Sequence, residues 1–512
     1  MKVKKIKRIL ESLPGALSWS VIFLFGGLVI FKPFWAAIVL IVYLSFWFFR
    51  LLYMSLLLIM AHRRMSLKRN IDWLKLSKEV KTDKSFDDIR HVVLYTIYKE
   101  PIEVIRESLL SLTKVDYPAN KIIVVLTGEE RRDNCFEILN SLKEEFKDYF
   151  ADILITIHPK DIPGEIPAKG ANATYSARYV KEYLEKNNID LGNVIISCFD
   201  ADTCVDRKYF SCLTYHFLIN PKRYQLSFQP LPIYNNNIYY APAFARVIEF
   251  GSTFWQLIES MRWEKFITFS SHSMSFKTLV EVNYWPVDMI SDDSLIFWRC
   301  FVKFNGDYYT YPLDIPVYMD IAIGKNLWDT VKVQYKQKRR WAWGIEGFVY
   351  LGIEFLNNKN IPLSLKLRKL FQVLEGHINW ATWSIIISFI LPYILLWTGL
   401  NHREDLVFFN LSYMNRIIWQ IFSFILLICL IISREFIPPR PKGVSKWIYL
   451  SFIGQWFFTP LISAFLGSFP SLDAQTRMMF NKKLKFFPTP KIRQIKTKEA
   501  IHNEINPCQV MS

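Results

Sequence analysis

Cysteine is scarce in this chain and poorly spaced for chemistry. Seven thiols stand in 512 residues, at Cys135, Cys198, Cys204, Cys212, Cys300, Cys429 and Cys508, and no two form a CxxC pair. That excludes a cysteine zinc site and a disulfide framework, and the odd count reads as reduced thiols facing a cytosol. Histidine is equally unhelpful to a metal: His62, His158 and His272 show no ligand spacing, and each reads as structural. The N-terminus is basic and then apolar, but no small-residue cleavage site follows cleanly. A second apolar stretch comes at once, so the segment reads as an anchor and not a removed signal peptide. Acidic residues are outnumbered, 46 against 63 Lys and Arg, for a net charge of +17. The excess does not form a nucleic-acid stripe. It sits in short runs beside apolar segments (2–8, 63–69, 434–446 and 482–491), the pattern of the positive-inside rule.

Half of the chain is apolar, and the apolar residues pile up at both ends. Leu17 to Phe31 is a short run, Lys32-Pro33 interrupts it, and Phe34 to Met60 follows. The second is long enough to span a bilayer, which takes about 20 residues. Lys32-Pro33 then marks the outer turn of a hairpin. Three further runs come late: His377 to Leu400, Tyr413 to Ser433 and Trp447 to Gly467. Five spans starting inside would leave the basic tail outside, so one run is expected to be re-entrant or not to span. Trp447 to Gly467 is the candidate, because it carries Gly454, Gln455 and Pro460. Within the runs Arg416 is the charge that stands out, thin support for a transporter.

The middle reads as a soluble α/β domain. Buried-type strands are expected at His91–Ile97, Lys121–Thr127, Asp152–His158 and Asn193–Phe199, with helical stretches between them, including Ile102–Leu112. Strand and helix in alternation give a mostly parallel sheet with ligands at the carboxyl ends of its strands.

Four elements carry chemistry. Asp200-Ala201-Asp202 directly follows an apolar strand. Residues two apart on a strand share a side, and two hard carboxylates suit Mg²⁺ or Mn²⁺ beside substrate phosphates. Taken alone, such a tripeptide is most often a solvated turn, and its place after a buried strand is what points to chelation. Ser291-Asp292-Asp293 offers a general base or, more simply, a helix N-cap before Ser294. In Gln337-Lys338-Arg339-Arg340-Trp341, helical spacing puts Gln337, Arg340 and Trp341 on one face. Arginine grips diphosphates and tryptophan offers a flat apolar face for a sugar. Lys336, Lys338 and Arg339 read as an interfacial basic-aromatic face touching lipid headgroups; the stretch from Trp328 to Leu351 is amphipathic and suits the membrane interface. Ala168-Lys169-Gly170 precedes a helix, where a lysine and helix-terminal amides can reach a phosphate.

The order of these elements resembles the inverting family 2 glycosyltransferases, especially membrane synthases such as cellulose and hyaluronan synthases, over about 92–348. Thr96-Ile-Tyr98-Lys-Glu100 looks like the family's first-strand motif, which implies nucleotide-sugar contacts at Thr96, Tyr98 and Glu100. Lys169 and Asp200 match donor-binding positions, and Asp200 and Asp202 the metal motif. Gln229-Pro230 looks like an element beside the acceptor channel, and Ser270-Ser271-His272 sits where an acceptor loop is expected. Ser291-Asp292-Asp293 resembles Thr-Glu-Asp, which puts Asp293 at the base position with Asp292 beside the acceptor. Gln337, Arg340 and Trp341 match QxxRW. The chain departs after the second strand: where the family has Asp-Asp-Gly, it reads Gly128-Glu129-Glu130, so Glu129 or Glu130 takes the nucleobase end. No recognisable cyclic-di-GMP-binding domain is present.

The resemblance implies an α/β GT-A (Rossmann-like, mostly parallel sheet) cytoplasmic domain inserted between α-helical transmembrane segments. The expected divisions are a transmembrane hairpin (1–62), a linker (63–89), the GT-A domain (90–320), amphipathic interfacial helices (321–370), C-terminal transmembrane helices (371–470) and a basic cytoplasmic tail (471–512). The expected activity is metal-dependent, inverting transfer from a nucleotide-diphosphate sugar to a glycan or lipid-linked acceptor, with QxxRW leaning towards the processive case. Mg²⁺ or Mn²⁺ is the expected cofactor and membrane lipid a partner; nucleic acid is not. The expected location is a bacterial inner membrane. A non-catalytic membrane scaffold with a degenerate transferase fold is the alternative.

Overall fold

The computed structural model describes residues 2–401, 405–484 and 487–490; the rest of the tail, with Lys491 and Cys508, lies outside them. The chain opens with two long helices, α1 (Lys2–Phe31) and α2 (Pro33–Arg69), joined at Lys32 alone. Proline at the first turn of α2 has no N–H to leave unsatisfied, which is why the hairpin can turn so tightly there. The expected boundary at 62 falls inside α2, which runs on into the domain. A short helix α3 (Trp73–Glu79) follows.

The domain then alternates β1 (Arg90–Thr96), α4 (Ile102–Leu112), β2 (Ile122–Glu129), α5 (Cys135–Phe146), β3 (Asp152–His158), α6 (Lys169–Lys186), β4 (Val194–Asp200), β5 (Cys204–Val205) and α7 (Tyr209–Ile219). It continues through β6 (Leu226–Tyr234), α8 (Ala243–Ser260), β7 (Ser273–Ser275), α9 (Phe276–Glu281), α10 (Asp292–Lys303) and β8 (Tyr309–Met319). The strands form one sheet in the order β3-β2-β1-β4-β7-β6-β8-β5. Pairs β3–β2, β2–β1, β1–β4 and β6–β8 are parallel, while β7 is antiparallel to both its neighbours.

Both faces of the sheet are covered. Val93 and Tyr95 of β1 pack into one apolar layer with Ile105, Leu109 and Phe210, and Val92 and Leu94 into the other with Ala173, Val180 and Leu295. A central parallel strand with two buried faces has no place for polar alternation, so β1, β2 and β4 read as continuous apolar runs.

After the sheet come α11 (Leu327–Ala342), α12 (Glu346–Asn357), α13 (Leu363–Ile385), α14 (Leu391–Asn401) and α15 (Leu406–Glu435). A continuous helical run Ile448–Met479 closes the described fold: α16 (Ile448–Gly454), α17 (Thr459–Ser463) and α18 (Phe469–Met479) are joined by a tighter turn at Gln455–Phe458 and a wider one at Ala464–Ser468. By length and composition five helical stretches among the described residues can cross a membrane. This is a membrane protein. Arg50 lies inside the second of them, so Arg416 is not the one notable charge of the spans. Arg50 is held by an ion pair to Glu375 of α13 (2.6 Å) and lies over the rings of Phe46 and Trp47.

Candidate active site

The carboxyl ends of β1 and β4, the N-termini of α6 and α10, and the last turns of α11 all open onto one cavity of about 970 Å³. Thr96, Tyr98, Glu100, Glu129, Lys169, Asp200, Asp202, Asp292, Asp293, Gln337, Arg340 and Trp341 line it. Register explains part of this: Thr96 pairs with Asp200 across β1 and β4, so both strands end level with each other. The cavity continues between the apolar helices, past Trp47, Arg50, Trp383 and Leu426. Pro488 and Thr489 of the tail also reach it.

Lys169 stands at the centre. Its ammonium is 2.8 Å from Asp200 and 2.9 Å from Asp293, so it ties the Asp-Ala-Asp turn to the start of α10. Burial pulls this ammonium down, but the carboxylates of Asp200 and Asp293 outweigh it and hold its pKa well above the ordinary lysine value. Gly170 permits the approach. A Cβ there would lie 2.4 Å from the Pro286 carbonyl oxygen and 2.8 Å from the Asp292 Cβ. The remaining oxygen of Asp200 accepts a hydrogen bond from the Ser270 hydroxyl (2.7 Å).

Asp200 and Asp202 differ in setting. Strand β4 ends at Asp200, so strand alternation does not carry on to Asp202. Asp202 is fully buried and accepts from the backbone N–H of Asp320 at 2.8 Å. Among the described residues no group of three His, Cys, Asp or Glu side chains is placed to hold an ion. A divalent ion here would therefore complete its shell with ligand oxygens, which suits Mg²⁺ bound through one or two carboxylates plus phosphates.

Asp292 and Asp293 begin α10, but Ser291 does not cap it. Its hydroxyl and backbone N–H instead donate to the Glu346 carboxylate. Asp292 is buried, and burial followed by the neighbouring Asp293 charge raises its pKa well above the carboxylate range. It is a poor site for a negative charge, whereas the Asp293 carboxylate faces the cavity and the Lys169 ammonium.

The face formed by Gln337, Arg340 and Trp341 does turn to the cavity. Lys338, read from the sequence as a lipid-facing residue, does not face lipid. It is buried, 3.0 Å from Glu249 of α8, with its ammonium 3.6 Å from the centre of the Trp341 ring. Burial pulls its pKa down to about 8, against the pull of Glu249. Arg339 pairs with Asp473 of α18 (2.8 Å), and Lys336 lies over Phe487.

Three expected contacts are absent from the cavity wall. Glu130 is exposed and accepts from the Lys160 N–H (2.9 Å), while Glu129 turns inward and pairs with Arg131, whose guanidinium lies over Tyr98. Gln229 is spent on the acceptor loop: its amide donates to the Ser270 carbonyl (3.1 Å) and accepts from the Phe269 N–H (2.8 Å). His272 is fully buried behind the same loop, its Nδ1 on the Phe269 carbonyl and its Nε2 accepting from Trp285. Burial lowers its pKa, so it is a neutral strut. His158 and His62 pair with Glu165 and Glu435, away from the cavity. Glu249 and Glu346, which hold Lys338 and Ser291 from behind the cavity wall, have no local motif to announce them.

No protein-family model matches the chain. A curated poly-β-1,6-N-acetyl-D-glucosamine synthase of Staphylococcus epidermidis is 23% identical over 345 residues, 65% of this chain and 74% of that protein. The protein of the same description from Staphylococcus aureus strain COL is 23% identical over 274 residues, 53% of this chain and 58% of its own. The chain resembles the family 2 glycosyltransferases. Among solved structures, the mannosyltransferase PcManGT of Pyrobaculum calidifontis in complex with GDP-Man and Mn²⁺ aligns with a TM-score of 0.41 at 14% identity, over 80% of this chain and 99% of that one. The motif order, the apolar helices and the likeness to the curated synthases all point to a glycosyltransferase embedded in a membrane.

Proposed function

We propose that this chain is an inverting, metal-dependent GT-A glycosyltransferase that adds N-acetylglucosamine from a nucleotide-diphosphate donor to a growing glycan. The observation that carries the reading is the junction at Lys169, where the Asp200 turn and the Asp293 helix meet in one cavity shared with Arg340 and Trp341. The likeness to poly-N-acetylglucosamine synthases supports the choice of sugar and of a polymeric acceptor.

In this reading Asp293 takes the proton of the acceptor hydroxyl, which attacks the anomeric carbon opposite the leaving group. Placing a base within hydrogen-bond reach contributes roughly 10²–10⁴-fold to such a step. Asp200 and Asp202 would hold a divalent cation, which when bound would supply positive charge beside the diphosphate. Arg340 adds a fixed cation on the same side, and Trp341 stacks on the acceptor sugar. Glu129, Thr96 and Tyr98 flank the nucleobase end.

The continuation of the cavity between the apolar helices supports passage of the product through the membrane, and hence processive synthesis. The run Ile448–Met479 begins against the domain, where Arg246 reaches Gln455 (2.7 Å). It ends beside the basic start of α1, where Arg8 donates to the Met478 carbonyl (3.0 Å). Both of its ends thus lie on the domain side. We read it as re-entrant, which leaves four true spans and keeps the N-terminus, the domain and the tail in the cytosol.

The test is nucleotide-diphosphate release by the purified full chain with UDP-GlcNAc, UDP-glucose, UDP-glucuronate and GDP-mannose, each with Mn²⁺, Mg²⁺ or EDTA. Release from UDP-GlcNAc that needs the metal is expected. Full turnover in EDTA would remove the chelation role, and a preference for another sugar would remove the donor assignment.

A further inference from the structure

Glu346 lies five residues past Trp341, at the first turn of α12, and no motif marks it. Its carboxylate is aimed back at the segment that leads into α10. One oxygen accepts from the backbone N–H of Ile290 (3.1 Å), the backbone N–H of Ser291 (2.7 Å) and the Ser291 hydroxyl. The other oxygen accepts from the Trp343 indole N–H at 3.1 Å. Burial raises its pKa, and the four donors oppose that rise by favouring the charged form.

These contacts do an unusual job. A serine at the N-cap of a helix ordinarily bonds the helix's own first N–H groups. Here it is turned outward to Glu346 instead, and Ile290 packs beside Ala342, Trp343 and Ile345 in the same apolar cluster. The start of α10 is therefore fastened to the continuation of α11. One helix brings Asp292 and Asp293 to the cavity; the other brings Gln337, Arg340 and Trp341. On the far side, Lys169 and the Thr268 hydroxyl hold Asp293 through its carboxylate and its carbonyl.

We infer that Glu346 is a positioning residue that sets the distance between the proposed base Asp293 and the Arg340–Trp341 face. It does not line the cavity and acts through Ser291. The inference rests on the proposed role of Asp293. A shift of about 1 Å in a reacting group costs about 100-fold in rate, so losing this tether is expected to lower kcat by about that factor. Donor affinity should stay within twofold of native, because Asp200 keeps its hydrogen bond from Ser270 and its place at the end of β4 whatever happens at Ser291.

The experiment uses the full-length protein in detergent with UDP-GlcNAc and Mn²⁺. It measures kcat and acceptor KM by UDP release, donor Kd by calorimetry, and thermal stability, for the native chain, Asp293→Asn, Glu346→Ala, Glu346→Gln and Glu346→Gln/Trp343→Phe. A neutral glutamine keeps one acceptor oxygen for Ile290 and Ser291 but opposes the Trp343 N–H with its own NH₂. The single Gln variant is therefore expected to lose turnover, and removal of the indole N–H in the double variant to recover at least tenfold of it. Donor Kd within twofold of native throughout supports the inference. If Glu346→Ala does not fold, the paired Gln variants still decide it. Native kcat in Glu346→Gln, or a loss of donor affinity equal to the loss of kcat, would overturn the positioning role. An active Asp293→Asn would instead defeat the base assignment, whatever the Glu346 variants do.

Discussion

At the residue scale, the short motifs marked which residues gather at one cavity and said less about which way neighbouring side chains turn. Lys169, Asp200 and Asp293 were legible because each sits at a helix start or strand end, and Gln337, Arg340 and Trp341 because helical spacing puts them on one face. Glu130, Gln229 and His272 were not, because a motif names a neighbourhood and does not say which of two adjacent residues turns inward. Asp293→Asn is expected to reduce UDP release by about 10²–10⁴-fold while calorimetry shows donor binding intact. Retained turnover would assign the proton to another group.

Lys338 gives a pH signature. Its pKa falls from the ordinary lysine value to about 8 in the fold. Between about 8 and that ordinary value the unfolded chain holds a proton that the folded chain has lost, so this group adds stability as pH rises through the window. Its contact with Trp341 runs the other way, since a cation–π interaction needs the charge. Acceptor KM is therefore expected to rise above about pH 8 without any loss of thermal stability. In Lys338→Met/Glu249→Gln, which avoids stranding a buried charge, the break near pH 8 should vanish. A break that persists in the double variant would assign it elsewhere.

At the scale of elements, strands β1 to β4 and helix α4 were readable to within a residue or two, because continuous apolar runs between polar turns have few other solutions. The second half of the sheet was not readable. β5 and β7 are two and three residues long, and β8 follows Asn305-Gly306 with no apolar periodicity strong enough to place it. The close seating of α6 against α10 was also invisible, since it depends on a missing side chain. Gly170→Ala tests it. The added methyl meets backbone at Pro286 as well as Asp292, so overpacking should destabilise by about 1–3 kcal/mol and lower turnover by separating Lys169 from Asp293. A melting temperature and rate equal to native would mean that the two helices part freely.

At the scale of the whole molecule, the positive-inside rule asks that one of the five apolar stretches not cross the membrane, while all five are long and apolar enough to do so. It could not say what the odd segment does. The run Ile448–Met479 touches Arg246 near one end and Arg8 at the other, the two contacts on which the proposed re-entrant path rests. Single cysteines placed at Lys446 and Lys482 in a cysteine-free background should both resist a membrane-impermeant maleimide in intact cells and react in inverted vesicles. Labelling of one of them from outside would restore a fifth span.

The central claim is that the cavity at Lys169 builds a glycan. The most direct measurement is incorporation of radiolabelled N-acetylglucosamine from UDP-GlcNAc by the purified full chain in lipid vesicles with Mn²⁺, with the product resolved by length on a gel. A ladder of long products is predicted, absent in Asp200→Asn and Asp293→Asn and abolished by EDTA. Failure of the folded native chain to incorporate sugar, or incorporation that survives both substitutions, would contradict the account.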